Sequence, residues 1–189
     1  MVGRMEHIAC RRELRKYVKF PCLDIGIGGG FFWDKKVPEG VVGVDIRPKL
    51  PNTIKCDVLD GLPFEDASFN CVVATEIFEH IEPRKRRFLV CEILRVLKER
   101  GRIIISVPKR HRVNFRAKPT RDSQPYPHVL HPEWLFDDEE FLDFVELFGG
   151  NAKVFRISNK FYEGFGAVIF YKASDDDYEQ YCNRLNKSV

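Results

Sequence analysis

The chain reads as an α/β protein: a doubly wound, mostly parallel seven-stranded sheet with an antiparallel last strand and helices on both faces. Three features lead there. Short apolar runs without polar alternation recur along the chain, as in strands buried on both faces. Two of them, 20–25 and 41–45, end on or beside an acid and adjoin glycine or proline turns. Amphipathic helical patterns separate several of the runs, the arrangement of strands joined by crossovers. A length of 189 residues suits one core and is short for two ordinary domains. The range 1–189 is therefore expected to be a single domain, with a basic helix in 1–19, a core over 20–172 and a terminal helix in 173–189.

Taken in order, residues 4–19 form a basic amphipathic pattern. Ile8, Leu14 and Val18 mark its apolar side, and Arg11, Arg12, Arg15, Lys16 and Lys19 its solvated side. This is either a packing helix with a charged face or an arm for nucleic acid. The first strand, about 20–25, enters the loop Gly26-Ile27-Gly28-Gly29-Gly30. Phe31, Phe32 and Trp33 then open a short helix that Pro38-Glu39-Gly40 ends. Residues 41–45 are a second strand closing on Asp45. Pro48 and Pro51 argue against a helix in the next link, so a tight loop is expected there. A short third strand is expected to end at Cys56-Asp57, and Cys71 to Ala74 is the fourth. Pro83 starts a helix whose Phe88, Leu89, Ile93, Leu94 and Leu97 are expected to face the sheet. Gly101-Arg102 is read as a turn into a fifth strand, 103–107. Residues 108–133 form a long connection. An amphipathic helix with an acidic cap spans Asp137 to Leu147, stopped by Gly149-Gly150. Residues 152–157 and 166–171 are the last two strands, antiparallel to each other, and Ser174 with Asp175 to Asp177 suits the start of a terminal helix.

The glycine loop is the first chemical signal. A dinucleotide site requires G-x-G-x-x-G. Here the third position falls on Phe31 counted from Gly26, and on Trp33 counted from Gly28. Asp24 would also repel a pyrophosphate. An acid just before the glycines suits a ligand that is cationic at that end. Asp45, at the end of the second strand, suits the two hydroxyls of a ribose. The pattern of Asp24, Gly26, Gly28 and Gly30, followed by Asp45, Asp57 and Leu62-Pro63-Phe64, resembles the class I S-adenosylmethionine-dependent methyltransferases, in particular the small type-11-like group. The resemblance covers about residues 20–172. It implies S-adenosyl-L-methionine as cofactor, held by Asp24, Gly26, Gly28, Gly30, Asp45, Asp57, Val58 and Thr75, with Asp57 near the adenine amino group. Asn70 stands where that group usually has an acid.

In open α/β sheets chemistry lies beyond the carboxyl ends of the strands. The segment after the fourth strand holds Glu76, Glu79 and His80, spaced to share one face of an incipient helix. These three are the expected catalytic residues. Related metal-dependent methyltransferases carry a similar glutamate-x-x-glutamate-histidine segment, some with a later histidine before a Glu-Trp pair. Here His128 and His131 precede Glu133-Trp134. A divalent metal on Glu76, Glu79, His80 and His131 is thus one expectation, and His80 as a metal-free general base is the other.

The net charge of +3 is too small to imply a partner. Placement is more telling. Residues 84–87 are four consecutive cations, and 109–121 holds six with no acid. Both leave strands on the expected active edge, which suggests an anionic acceptor, nucleic acid being one case. The expected reaction is methyl transfer to an oxygen or nitrogen of such an acceptor. A small neutral metabolite as acceptor, and a silent cofactor-binding subunit that partners an active enzyme, are the alternatives. No apolar run approaches the roughly 18 residues of a membrane span, and Cys22, Cys56 and Cys71 fall in or beside strands, as reduced thiols would. A cytoplasmic protein without membrane contact is expected.

Overall fold

The structure is a computed structural model, described over residues 11–109, 136–158 and 163–171. Residues 11–15 are helical (α1). Then come β1 (Cys22–Ile25), a 3₁₀ turn η1 (Phe31–Trp33), β2 (Val41–Asp45), β3 (Ile54–Lys55) and β4 (Phe69–Thr75). A second 3₁₀ turn η2 (Phe78–His80), helix α2 (Pro83–Val96), β5 (Leu97–Pro108), helix α3 (Asp138–Glu146), β6 (Asn151–Ser158) and β7 (Glu163–Phe170) complete it.

The seven strands form one sheet in the order β3-β2-β1-β4-β5-β7-β6. The pairs around β1, and β4 with β5, are parallel. β7 runs antiparallel to both β5 and β6. The chain moves outward from β1 to β3 and returns to β4, so β1 and β4 flank the reversal point where such sheets open a crevice.

Strand side chains alternate between two cores, as the pleat requires. Leu23, Ile25, Val72, Ala74, Ile103 and Ile105 meet α2 and α3. Cys22, Cys71, Val73 and Ile104 meet Leu14 of α1 and Phe32 and Trp33 of η1. Because both faces are covered, the central strands need apolar residues at every position, and that is why their runs lack alternation. Cys22 and Cys71 are buried free thiols, and Cys56 is a half-buried one. α3 starts on a capping box: Asp137 accepts from the Glu140 amide at 3.0 Å, and the Glu140 carboxylate accepts from the Asp137 amide at 2.9 Å.

Several boundaries differ from the sequence reading. η1 ends at Trp33, because Asp34 and Lys35 both take left-handed backbone angles, well before Pro38. The link 46–53 is indeed non-helical, and β3 is only two residues long, ending before Cys56 and Asp57 rather than on them. β5 starts at Leu97, which pairs with Phe69; the register then shifts to Arg102 opposite Cys71. Gly101-Arg102 is thus inside a bulged strand, with Arg100 at φ +60°, not a turn before it. On α2, Leu89, Ile93 and Leu94 are buried as expected, but Phe88 is 44% exposed. Arg86, one turn before Leu89 and Val90, is buried instead, against the η2 turn and Phe136. The expected terminal helix in 173–189 and the connection 110–135 lie outside the described residues, as does the part of the basic helix before residue 11. Among the described residues, no helix is long and apolar enough to cross a membrane.

Candidate functional site

The loop after β1 leaves the sheet by left-handed turns at Gly26 (φ +71°) and Gly28 (φ +53°), which favour residues without a Cβ. β2 must let this loop pass closely. A Cβ on Gly43 would sit 2.7 Å from Ile27, so glycine at 43 sets the loop against the strand. The loop is then fastened to the end of β2. The Gly28 amide donates to Asp45 Oδ2 at 2.9 Å, and the Arg47 amide donates to Oδ1 at 2.7 Å. Each carboxylate oxygen keeps a further lone pair for a ligand hydroxyl.

Asp24 lies beneath this loop at 2% exposure. The Trp33 indole Nε1 donates to its Oδ2 at 2.6 Å. Burial pushes its carboxyl up to about 7, the indole hydrogen bond opposes that, and the charge of Asp45 adds to it.

The third wall is the segment after β3. The Cys56 amide donates to the Asp45 carbonyl at 3.0 Å, and the Leu59 amide donates to Asp57 Oδ1 at 3.0 Å. Arg95 of α2 anchors the stretch 62–66. Its guanidinium donates to the carbonyls of Leu62 and Phe64 and to the carboxylates of Glu92 and Asp66. Glu92 in turn accepts from the Leu62 amide at 2.7 Å. Leu62-Pro63-Phe64 is therefore a strap held to α2.

The fourth wall comes after β4. Glu76 has a left-handed backbone (φ +57°), which is strained for a residue with a Cβ. It is held twice by Ser106: its amide donates to the Ser106 carbonyl, and the Ser106 hydroxyl donates to Oε1, both at 2.8 Å. Glu79 is turned inward at 2% exposure, and its Oε2 has no hydrogen-bond partner among the described residues. Burial holds its carboxyl well above the usual range, and the charge of Glu76 adds to that; nearby Arg86 offsets part of it. His80 Nε2 stands 3.9 Å from Glu79 Oε1. Arg86, 9% exposed, supports this turn from α2: its Nε donates to the carbonyls of Phe78 (3.1 Å) and Ile81 (3.2 Å), while its guanidinium lies 4.1 Å from the Phe136 ring centroid.

These walls enclose a cavity of about 500 Å³. Asp24, Gly26, Gly28, Asp45, Asp57, Val58 and Thr75 all line it, as do Glu76 and His80. Two expected residues do not. Gly30 is buried behind the loop as the cap of η1, where a Cβ would press on Leu50 and Val37. Glu79 points into the core because the 3₁₀ turn, unlike a full helix, does not bring it to the face of Glu76 and His80. Arg11, Phe31, Arg47 and Lys49 also line the cavity, although the sequence reading assigns them no site role. Arg11 arrives there because α1 folds over η1, donating to the Phe31 carbonyl at 3.3 Å, a tertiary contact no local pattern announces. Leu59 carries a signal, since it lies two residues past Asp57.

Residues 23–105 match the family described as Methyltransferase domain. That match covers somewhat less than half of the chain. An uncharacterized protein of Methanocaldococcus jannaschii is 32% identical over 94 residues, covering 47% of this chain and 40% of that protein. The chain thus matches less than half the length of this curated relative. Among solved structures, a SAM dependent methyltransferase from Aquifex aeolicus aligns with a TM-score of 0.57 and 22% identity over 84% of this chain and 88% of that one. The 1,6-didemethyltoxoflavin-N1-methyltransferase of Burkholderia thailandensis, solved with S-adenosylhomocysteine, gives 0.59 and 16% over 80% and 71%. At these identities the likeness carries the methyltransferase fold alone.

The described residues do not converge on a metal ion. No group of three or more histidine, cysteine, aspartate or glutamate side chains among them is arranged to hold an ion. Glu79 faces the core and Glu76 is turned to Ser106, so the expected set does not converge. His131 lies outside the described residues.

Proposed function

We propose that the protein transfers a methyl group from S-adenosylmethionine to an oxygen or nitrogen of an anionic acceptor. The observation that carries this reading is the cavity itself, which Asp45, Glu76 and His80 all line. Asp45 accepts from the two ribose hydroxyls. Asp57, Val58 and Leu59 surround the adenine, and the methionine ammonium lies toward Asp24. The sulfonium methyl then points toward Thr75, Glu76 and His80. The cofactor is already activated, so the domain mainly orients the reactants and excludes water. The acceptor's lone pair forms the new bond to the methyl carbon as the carbon–sulfur bond breaks, leaving S-adenosylhomocysteine. His80 takes the proton released by the acceptor, and Glu76, fixed by Ser106, orients the acceptor's O–H or N–H. No step is routed through a metal.

Exposed Arg84 and Lys85 at the first turn of α2, and Arg11, Arg47 and Lys49 in the cavity wall, support the anionic acceptor. Arg86 does not, since it is buried and holds the η2 turn. In 109–121 only Lys109 is described, and it pairs with Asp138.

Calorimetric titration with S-adenosylmethionine, in EDTA and again with Mg²⁺ or Mn²⁺, tests the cofactor assignment. Equal binding in all conditions is expected. Absence of binding throughout would overturn the reading, and binding that needs the metal would overturn the metal-free site.

A further inference from the structure

The cations in the cavity wall continue onto the outer surface. Arg11 and the exposed Arg47 line the cavity. One residue further, Arg12 is exposed on the outer side of α1, with Lys16 one turn on. β6, far away in sequence, adds exposed Lys153, whose Nζ donates to the Tyr17 hydroxyl at 2.8 Å. β5 adds Arg102, which donates to the Tyr17 carbonyl at 3.0 Å. Arg12, Lys16 and Lys153 all act on one acid, Glu13, and hold its carboxyl below the usual range, Lys16 most strongly through its hydrogen bond. Asp34, another acid beside α1, is taken up by Arg15 at 2.6 Å. Cations from four parts of the chain therefore border one surface, and those of α1 and β6 share the acid Glu13.

Aromatic rings hold these cations in place. Lys153 lies 5.4 Å from the Tyr17 centroid and 5.2 Å from that of Phe155, and Arg102 lies 5.5 Å from that of Phe170. Rings covered in this way are poor stacking platforms for bases. The surface is suited to evenly spaced negative charge, not to base edges.

We propose that this track, from Arg47 and Arg11 over Arg12 and Lys16 to Lys153 and Arg102, seats the phosphate backbone of a nucleic-acid strand. The inference rests on the anionic-acceptor reading and names its class. It also fixes a mode: the backbone is held without regard to sequence, on the α1 side of the molecule, while Arg84 and Lys85 stand on the α2 side.

Fluorescence anisotropy with a labelled oligouridylate and a labelled oligothymidylate tests it. The protein is expected to bind both alike, with affinity falling as salt rises, at a log–log slope of about −0.7 for each phosphate neutralised. Combined Arg12→Glu and Lys16→Glu should weaken binding roughly tenfold or more and flatten that slope by about 1 to 2. Lys153→Gln, which removes one charge from β6, should weaken it about threefold. Calorimetry with S-adenosylmethionine, which does not touch these three side chains, reports on folding of each variant. If the α1 and β6 variants bind like wild type while Arg84→Glu with Lys85→Glu does not, the track is overturned and the anionic acceptor survives. If the wild-type protein binds neither oligonucleotide, both fall. Binding to phosphatidylserine vesicles but to neither oligonucleotide overturns the nucleic-acid assignment.

Discussion

The Trp33 indole donates from the core to the buried carboxyl of Asp24 at 2.6 Å, and Asp24 lines the cavity. The protein alone holds Asp24 at about 7, so near neutrality it is partly protonated. The ammonium of S-adenosylmethionine favours the ionised form. Binding should therefore expel a proton, and affinity should rise as pH rises through about 7. Titrations at pH 6.5 in phosphate and in Tris should give different apparent enthalpies, because the buffer takes up the proton. Equal enthalpies would place the ammonium elsewhere. Trp33→Phe removes the donor that favours the charged form and should move the rise in affinity to higher pH.

Asp45 joins the ends of two loops, taking the Gly28 amide on one oxygen and the Arg47 amide on the other. On the proposed reading Asp45→Ala loses the ribose acceptor, and it leaves the glycine loop untied. Hydrogen bonds to a charged group contribute about 1.5–3 kcal/mol, so cofactor affinity should drop roughly 10- to 150-fold. Asp45→Asn keeps an acceptor oxygen and should lose less. Calorimetry measures both; an unchanged affinity in Asp45→Ala would show that the ribose does not sit there.

Asp24 and Asp45 are legible in the sequence because their position follows from strand order alone. An acid closing β1 or β2 must reach the crevice, whatever surrounds it. Asp57 and Thr75 obey the same logic. Gly30 and Glu79 escape it for local reasons: Gly30, named by the motif resemblance, caps the η1 turn, and Glu79 sits in a turn tighter than the helix its spacing suggests. Arg86 reads as one of four solvated cations, since nothing in Arg84-Lys85-Arg86-Arg87 marks which will be buried. Its burial depends on Phe136, a residue distant in sequence whose ring covers the guanidinium. The same holds for Arg11, brought to the cavity by packing of Leu14 against Trp33 and its neighbours.

Glu79 gives a stability prediction with a definite sign. Its folded-state carboxyl lies well above the ordinary 4.5, through burial first and the charge of Glu76 second, with Arg86 offsetting part. A raised folded value means that its favourable contribution is complete below the unfolded value and is lost as pH rises through the folded one. Glu79→Gln removes that loss. The variant should melt higher than wild type at pH 7–8, by roughly 2–4 °C for each kcal/mol recovered in a chain of this size. Near pH 3 the gain should vanish, since Glu79 is then neutral in both states. A gain independent of pH would show that packing, not charge, is responsible.

Arg86 and its neighbours in the same cluster should part company on substitution. Arg84 and Lys85 are exposed, and replacing them by glutamine should change melting little, because exposed charges contribute at most about 1 kcal/mol. Arg86 donates to two carbonyls of the η2 turn and covers the Phe136 ring. Arg86→Met keeps most of the apolar contact but removes this donor from both carbonyls; Phe78 keeps the Ile81 amide, so the cost is about 1–3 kcal/mol, mainly at the Ile81 carbonyl. It also removes the positive charge nearest Glu79, so the Glu79 carboxyl should rise further. The loss should therefore be smaller in acid than at neutral pH, and smaller again in a Glu79→Gln background, where no charge needs an offset. Thermal melts of the two single variants and the double variant, at pH 5 and pH 7.5, give that coupling directly. Additive effects at both pH values would mean that Arg86 holds the turn through its hydrogen bonds alone.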